Sequence, residues 1–225
     1  MPAPHRPRYL YRTLAFEHVV DIFRTSELHF SSPRLWPDPF EQIVQHSRSG
    51  AVFAQCWSRR AESDAIWRIY SPNHQAVRLR ASRLAMSAAL TRARKAQGLD
   101  TFVKTITYLP PGKFGQRLKE LGNVLHQHFD LKAATEAIFL KRKAFDHEEE
   151  VRVVLHARQM PDCTIGPPSI RVQVDPHDLI DQITFDPRLS DAMMRVFWRY
   201  LRDQLKFSGH LGRSLLYSPE AIAIA

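Results

Sequence analysis

The chain has 225 residues, of which 44% are hydrophobic and 24% are charged, and its formal net charge is +9. This composition excludes a disordered chain, and the uncharged apolar runs are far shorter than the roughly 20 residues of a membrane-spanning helix. Two cysteines, Cys56 and Cys163, are too few for a disulfide framework or a zinc site of their own. We therefore expect a cytoplasmic protein that does not bind membranes.

The first part of the chain mixes short strands and helices. Apolar residues at helical spacing, Phe16, Val19, Val20 and Phe23, predict an amphipathic helix. Ser63 is a predicted N-cap, and Pro72 stops the helix that follows it. In chain order we predict a strand at 9–12, a helix at 16–28, a strand at 28–30, a constrained loop at 36–41, a buried strand at 51–57, a helix at 64–70 and a strand at 76–80.

The remaining elements continue without a regular strand–helix–strand repeat. We predict helices at 81–97 and after Ser190, a mostly helical stretch at 114–145, and strands at 103–108, 149–156, 170–174 and 182–185. This order is typical of an α+β fold with a mainly antiparallel sheet. We expect a single domain over residues 1–225 with a mostly helical insertion at about 81–145.

Positive charge is concentrated in the middle of the sequence. Residues 81–143 carry 12 basic and 4 acidic side chains, whereas residues 144–225 carry 9 and 12. A local excess of this kind suits DNA or RNA, because neutralising phosphates releases counterions. The same excess is also typical of a solvated helix face.

The most suggestive acidic segment is residues 141–152. If it is extended, Glu148, Glu150 and Arg152 lie on one face of a strand, where stacked carboxylates repel each other. The alternatives are a functional site at the mouth of the strand and a strand end neutralised by Arg152 and Lys143.

A second candidate is the loop Asp38-Pro39-Phe40-Glu41, in which prolines restrict the backbone around two acids. We expect Phe40 to anchor this loop in the core. The loop is either a carboxylate-bearing site or a structural corner. On the helix at 64–70, Trp67 and Tyr70 are expected to pack in the core.

These segments, in this order, resemble a large bacterial family of domains of unknown function with LYRY, NDPFE, MWxxY and ExExR signatures, often found near defence genes. Pro37 stands where that family usually has Asn, and Ala76 where it usually has Gly. The segments that carry the resemblance are Leu10-Tyr11-Arg12, Leu28 to Glu41, Cys56-Trp57-Ser58, Ile66 to Tyr70 and Glu148 to Arg152.

The family in turn is remotely similar to ADP-ribosyltransferases, including the DarT-like enzymes that modify DNA. This similarity implies a split sheet, NAD as the substrate and no metal. It implies that Glu150 stabilises the oxocarbenium-like ribose, that Glu148 orients or deprotonates the acceptor, and that Arg12 binds the diphosphate. The other implied contacts are Tyr11, Ser58, Trp67 and Tyr70 for NAD, and Asp38, Phe40, Glu41 and Arg152 for the substrate or its loop.

Three functions follow as alternatives. The first is an NAD-consuming ADP-ribosyltransferase or glycohydrolase that acts as a bacterial toxin or defence effector, with nucleic acid bound through residues 81–143 and a neutralising protein partner. The second is a Mg²⁺-dependent nuclease with Asp38, Glu41, Glu148 and Glu150 as ligands. The third is a non-catalytic nucleic-acid-binding module.

Overall fold

The structure is a computed structural model that describes residues 8–42 and 44–218. The α-helices are α1 (Phe16–Thr25), α2 (Asp64–Tyr70), α3 (Arg83–Gln97), α4 (Pro111–Gln127), α5 (Leu131–Ile138), α6 (Pro176–Leu179) and α7 (Asp191–Arg199). The strands are β1 (Tyr9–Ala15), β2 (Glu27–Ser31), β3 (Val52–Ser58), β4 (Ala76–Ser82), β5 (Leu99–Thr105), β6 (Thr107–Leu109), β7 (Leu140–Arg142), β8 (Glu150–Ala157), β9 (Ser169–Gln173), β10 (Ile180–Phe185) and β11 (His210–Arg213). Among the helices of these residues, none has both the length and the apolar character to cross a membrane.

The predicted fold class is confirmed: the fold is mixed α+β, and most of its strand pairs are antiparallel. The parallel pairs described are β10 with β11 and β6 with β7. The described residues group into two compact units. The first unit contains residues 8–27, 59–87 and 174–218, and the second contains residues 28–42, 44–58 and 88–173.

The first unit contains the strand order β11-β10-β4-β1. Helix α1 buries Val19, Ile22 and Phe23, as its apolar spacing predicts, and Phe16 stacks on Phe197 of α7 with ring centroids 3.8 Å apart. The helix is shorter than expected, because Ser26 adopts a left-handed conformation (φ 57°) that ends it before β2.

The second unit contains the strand order β5-β8-β3-β2-β9. Strand β8 lies between β3 and β5, and all eight of its residues are buried. A polar side chain on this strand therefore needs a partner inside the protein. The second unit also packs α4, α5 and β7 around one apolar cluster: Phe114, Leu118, Leu121, Leu125, Ala133, Ala134 and Leu140.

The stretch expected to be mostly helical over 114–145 is interrupted. Asp130 caps α5 by accepting a hydrogen bond from Ala133 N–H, which separates α5 from α4. The chain then leaves the helix as β7, which pairs in parallel with β6. The strand expected at 103–108 is likewise two strands, separated at Ile106, whose N–H donates to the carbonyl of Glu150.

Candidate active site

The acidic segment of the sequence contributes to a buried cluster of opposite charges in the second unit. We call Glu41, Glu148, Glu150, Lys141 and Arg152 the carboxylate cluster. The ammonium of Lys141 lies among the carboxylates, with its Nζ 2.6 Å from Glu148, 3.0 Å from Glu150 and 3.9 Å from Glu41. The structure thus brings together acids that are more than a hundred residues apart in the sequence.

Each carboxylate is supplied by a different local structure. Glu41 lies in the 3₁₀ turn Pro39–Gln42, and Glu148 ends the 3₁₀ turn Lys143–Glu148. Glu149 then adopts a left-handed conformation (φ 44°), and Glu150 begins β8. The expectation of an extended segment is corrected here: Glu148 is not on the strand, and both Glu148 and Glu150 bind Lys141.

Arg152 holds Glu150 by two parallel hydrogen bonds. Its Nε is 2.6 Å from Glu150 Oε1, and its Nη2 is 2.9 Å from Glu150 Oε2. The same guanidinium donates to Glu41 Oε1 at 2.5 Å and to the carbonyl of Ile138 at 2.6 Å. Its Cζ lies over the ring of Trp36, 4.4 Å from the ring centroid. These paired hydrogen bonds orient the Glu150 carboxylate.

The cluster was expected at a strand mouth, yet Glu150 is only 2% exposed. Burial alone raises the pKa of Glu150, but the charge and hydrogen bonds of Arg152, with Lys141, lower the pKa to about 2. Burial also opposes the charge of Lys141, and the carboxylates of Glu150 and Glu41 outweigh it, so the pKa of Lys141 is raised. The pKa of Glu41 shifts in the other direction from that of Glu150. Desolvation by burial raises it by more than the charge of Arg152 lowers it.

Neighbouring groups complete the shell around Glu150. The hydroxyl of Tyr108 accepts a hydrogen bond from the Glu150 backbone N–H at 2.8 Å, and burial raises the pKa of Tyr108 to about 12. Cys56 is opposite Arg152 on β3, and burial raises the pKa of its thiol. Ser58 donates from Oγ to the carbonyl of Glu148 at 2.6 Å. This bond positions the turn that carries Glu148.

The loop around Asp38 departs from expectation. Phe40 was expected in the core, but it is 42% exposed, and the guanidinium of Arg142 lies 4.1 Å from its ring centroid. Arg142 also donates to Asp38 Oδ1 at 3.0 Å, and Asp38 accepts from the Phe40 N–H at 3.0 Å. A cation therefore lies over the Phe40 ring, which remains partly exposed to solvent.

The first unit holds the other predicted residues. Tyr11 and Arg12 lie on β1, where Arg12 is opposite Leu79 of β4. Trp67 of α2 is a core residue, as expected, with its Nε1 donating to Glu62 at 2.6 Å. Tyr70 was also expected in the core, but it is 47% exposed. Of the two aromatic side chains, only Tyr70 thus presents much of its ring to solvent.

An arginine-centred group in the first unit was not predicted. Arg78 lies near the rings of both Tyr11 and Trp67, at 5.6 and 5.4 Å from their centroids. It is paired with Glu62 at 2.8 Å, and Glu62 also accepts from Ser214 Oγ at 2.8 Å. The alternation of apolar and basic residues at 76–80 was the only sequence signal for Arg78.

Sequence reasoning also missed Lys141 and chose Lys143 as the partner of the acids. Lys143 is exposed, whereas Lys141 is buried in the cluster. Lys141 lies on β7 opposite Tyr108 of β6, whereas Lys143 lies beyond the strand, at the start of the 3₁₀ turn Lys143–Glu148. Strand periodicity could not have distinguished the two lysines, because residues two apart on a strand lie on the same face.

The four acids proposed as Mg²⁺ ligands are arranged differently from a metal site. Lys141 and Arg152 bind the oxygens of Glu41, Glu148 and Glu150, and Arg142 binds Asp38. Over residues 8–42 and 44–218, no group of three or more histidine, cysteine or acidic residues has the arrangement of a metal site. The donor set here is therefore already matched by the protein's own cations.

The fold and site define an α+β protein with a buried, ionised carboxylate held by an arginine and a lysine. No protein-family profile matches the chain, and no curated protein is significantly similar to it. Solved structures of DarT from Thermus sp. 2.9 are similar at low identity. The complex with carba-NAD⁺ is 11% identical, with 94% of this chain and 97% of that chain covered and a TM-score of 0.45. The complex with NAD⁺ is 12% identical, with 94% and 96% covered and a TM-score of 0.44. The complex with ADP-ribosylated single-stranded DNA is 13% identical, with 95% and 98% covered and a TM-score of 0.47. Similarity at this level assigns neither a family nor an activity to this chain.

Proposed function

We propose that this chain cleaves the nicotinamide–ribose bond of NAD and transfers ADP-ribose to an acceptor or to water, acting in the bacterial cytoplasm as a toxin or defence effector. The observation that supports this most directly is Glu150. Its carboxylate is buried and fixed by two bonds from Arg152, and its pKa is lowered to about 2, so it is ionised at neutral pH.

An ionised, fixed carboxylate is the group that this reaction requires. When the bond between ribose C1 and the nicotinamide nitrogen breaks, nicotinamide leaves with the bonding electrons and positive charge develops on the ribose. A preorganised carboxylate near the ribose stabilises that charge, as it does in glycoside cleavage. In this proposal Glu150 has that role, and the bonds from Arg152 prevent it from reorienting during the step.

The second half of the reaction needs an acceptor. The acceptor's oxygen or nitrogen forms a bond to C1 and loses a proton, which Glu148 is proposed to receive. Glu148 is less enclosed than Glu150, and its turn is held by Ser58. If water is the acceptor, the product is free ADP-ribose, and the protein is a glycohydrolase.

Roles for the first-unit residues come from the sequence resemblance and are part of the proposal. Arg12 would bind the diphosphate of NAD through its planar guanidinium. Tyr70, with its exposed ring, would stack on an aromatic ring of NAD. Trp67 is buried and bonded to Glu62, so its proposed contribution is to position α2.

The test measures nicotinamide released from NAD by the purified protein. We expect release by the parent chain, at least a hundredfold less by Glu150→Gln, and a marked reduction by Arg12→Ala. Glu120→Gln is the matched control, because it removes the same charge from the exposed face of α4. Release by all variants at the parent rate would overturn the assigned roles, and no release by a folded parent chain would overturn the function.

Glu150→Gln also weakens a buried ion pair, so loss of activity must be separated from loss of fold. Circular dichroism and thermal melting of each variant supply that control. A Tyr70→Ala variant adds a second readout, since an exposed side chain can be removed with little effect on folding. We expect its KM for NAD to rise while the protein melts as the parent does.

A further inference from the structure

The guanidinium of Arg48 binds the chain segment at the end of β8, in the second unit. Its Nη1 donates to Asp162 Oδ1 at 2.5 Å, and its Nη2 lies 3.1 Å from each of three carbonyl oxygens. These carbonyls belong to Ala157, Arg158 and Met160. One side chain thus fixes the course of residues 157–162, which we call the Arg48-bound segment.

Two histidines accept hydrogen bonds from the same arginine. The side-chain Nε of Arg48 donates to His156 Nε2 at 3.2 Å, and the backbone N–H of Arg48 donates to His46 Nδ1 at 3.2 Å. Both imidazole rings are buried, and Phe129 packs against each, with ring centroids 5.3 Å from His46 and 5.7 Å from His156. A ring nitrogen accepts a hydrogen bond only while it carries no proton. Both histidines must therefore be neutral for Arg48 to make these bonds.

The two nitrogens of His156 are in different situations. Because Nε2 is an acceptor, the proton of the neutral ring is on Nδ1. This Nδ1 is buried and has no hydrogen-bond partner among residues 8–42 and 44–218. A buried donor without a partner is unfavourable, so the bond from Arg48 is important for keeping this ring in place.

The groups around His156 oppose a second proton on its ring. Burial lowers the pKa of His156 from its usual 6.5, and the charge of Arg48 lowers it further. Asp100, opposite His156 on β5, and Asp162 act in the other direction. Each of these carboxylates is paired with an arginine, Asp100 with Arg158 at 3.4 Å and Asp162 with Arg48. The closed arrangement therefore favours the neutral ring.

His46 is held neutral by the same surroundings. Burial lowers its pKa to about 4, and the charges of His156 and Arg48 contribute to this shift. The two histidines thus act on each other as well as on the arginine between them. A proton on one ring makes a proton on the other less favourable as long as Arg48 stays in place.

We propose that Arg48, His46 and His156 form a pH-sensitive switch that releases the Arg48-bound segment when the histidines are protonated. A proton on His156 Nε2 or on His46 Nδ1 replaces an acceptor by a donor that points at an N–H of Arg48. It also places a second positive charge beside the guanidinium. A hydrogen bond is then replaced by repulsion, which favours departure of Arg48 from the carbonyls that it binds.

Release changes the access to a cavity of about 480 Å³. Ala157, Gln159 and Met160 of the Arg48-bound segment line this cavity, together with residues that include Leu99 and Ile170. Its volume lies within the range of small-molecule sites. Acidification is therefore expected to widen the cavity by moving one of its walls.

The direction of the pH dependence follows from which state binds the proton first. In the released state each histidine has a pKa near its usual value of about 6.5, whereas in the closed state both pKa values are lowered. The closed state is therefore fully stable above about pH 6.5. Below that pH, the equilibrium constant for release rises by up to about tenfold per pH unit for each histidine that takes up a proton.

The test is hydrogen–deuterium exchange between about pH 7.5 and pH 5, corrected for the pH dependence of the intrinsic exchange rate. The N–H groups of Arg158 and Met160 report on release, because they donate to the carbonyls of Gly98 and Ala157 in the closed state. We expect the opening constant of residues 157–162 to rise at least about tenfold between pH 6.5 and pH 5. Helix α4 is the internal reference, and its opening should not change in parallel.

Two variants keep the acceptors but remove the titration. His156→Gln and His46→Asn place an amide oxygen near the position of Nε2 and of Nδ1, respectively. Each should reduce the pH dependence, and the double variant should abolish it. If the double variant melts lower than the parent, the two single variants decide the question. His126→Gln is the matched control, because His126 is an exposed histidine of the same unit, and it should behave as the parent.

Three results would overturn the switch. They are an opening constant of the parent that does not rise on acidification, an equal rise in α4, and parent-like pH dependence in the single and double variants. The experiment uses neither NAD nor an acceptor. Its failure is therefore distinct from a failure to release nicotinamide, and the inference does not rest on the proposed function.

Discussion

Replacing Lys141 with Met should be among the most destabilising single substitutions in the second unit. The ammonium is buried and lies 2.6 Å from Glu148 and 3.0 Å from Glu150. Removing it changes the formal charge of the carboxylate cluster from −1 to −2, because three carboxylates then share only Arg152. Removing one partner of a buried pair costs about 3–5 kcal/mol. In a chain of this size, the melting temperature should fall by about 6–20 °C.

The loss of stability in Lys141→Met depends on pH, because the pKa values of Lys141 and Glu41 are both shifted. The pKa of Lys141 is raised, so its stabilising charge is fully present below its unfolded value of about 10.4 and intact at pH 7. The pKa of Glu41 is already raised by burial, and losing Lys141 raises it further. Acidification should therefore favour protonation of Glu41 more in the variant than in the parent, and so narrow the variant's stability deficit relative to the parent.

The assay is thermal unfolding of Lys141→Met and of Lys143→Met, each measured between pH 5 and pH 8. Lys143 is the matched control, since it is an exposed lysine two residues away and was the partner expected from the sequence. Its replacement should change stability by less than about 0.5 kcal/mol. If both variants have the same melting temperature, or if the stability difference between Lys141→Met and the parent grows on acidification, the description of the cluster is wrong.

Two further predictions concern titration and hydrogen bonding. Burial, with the charges of His156 and Arg48, lowers the pKa of His46 to about 4 from its usual 6.5. The unfolded chain then binds the proton first, so stability should be complete above pH 6.5 and fall by about 2–3 kcal/mol as the pH drops to 4. Denaturant unfolding at several pH values measures this loss of stability. The loss should be smaller in His46→Asn but not in His18→Asn, which changes an exposed histidine. An unchanged loss in His46→Asn would contradict the assignment. Tyr108→Phe removes the acceptor of the Glu150 N–H and should cost about 1–3 kcal/mol, measured by the same method, while an unaltered midpoint would show that the bond contributes nothing.

Local signals in the sequence were sufficient for most elements. The apolar spacing of Phe16, Val19 and Phe23 predicted α1, and the expected caps Ser63 and Ser190 both accept backbone hydrogen bonds in the structure. These predictions are correct because a helix and its N-cap are determined by residues that lie close together in the sequence. The break between α4 and α5 also has a local signal, the Asp130 cap, but the apolar stripe running through it was the stronger pattern.

The candidate site depended on contacts that no local pattern contains. Sequence reasoning placed Glu150 and Arg152 on one strand face, which is correct, because period two is a property of any strand. It did not identify Lys141, because β7 was not predicted and the contacts of Lys141 with Glu148 and Glu150 depend on the tertiary fold. It also treated Phe40 as a core anchor, because apolar character alone does not show that a guanidinium covers the ring.

Holding β8 in place with the carboxylate cluster has a large cost in desolvation free energy. Taking five charged side chains out of water carries a desolvation penalty of several kcal/mol for each, and the attraction between them recovers it only with nearly complete hydrogen bonding. Apolar side chains of similar volume often hold such a strand equally well. Stability alone therefore does not account for Glu150, whereas a fixed carboxylate that stays ionised is what stabilisation of a positively charged ribose requires. This is the physical reason for placing the proposed chemistry at Glu150.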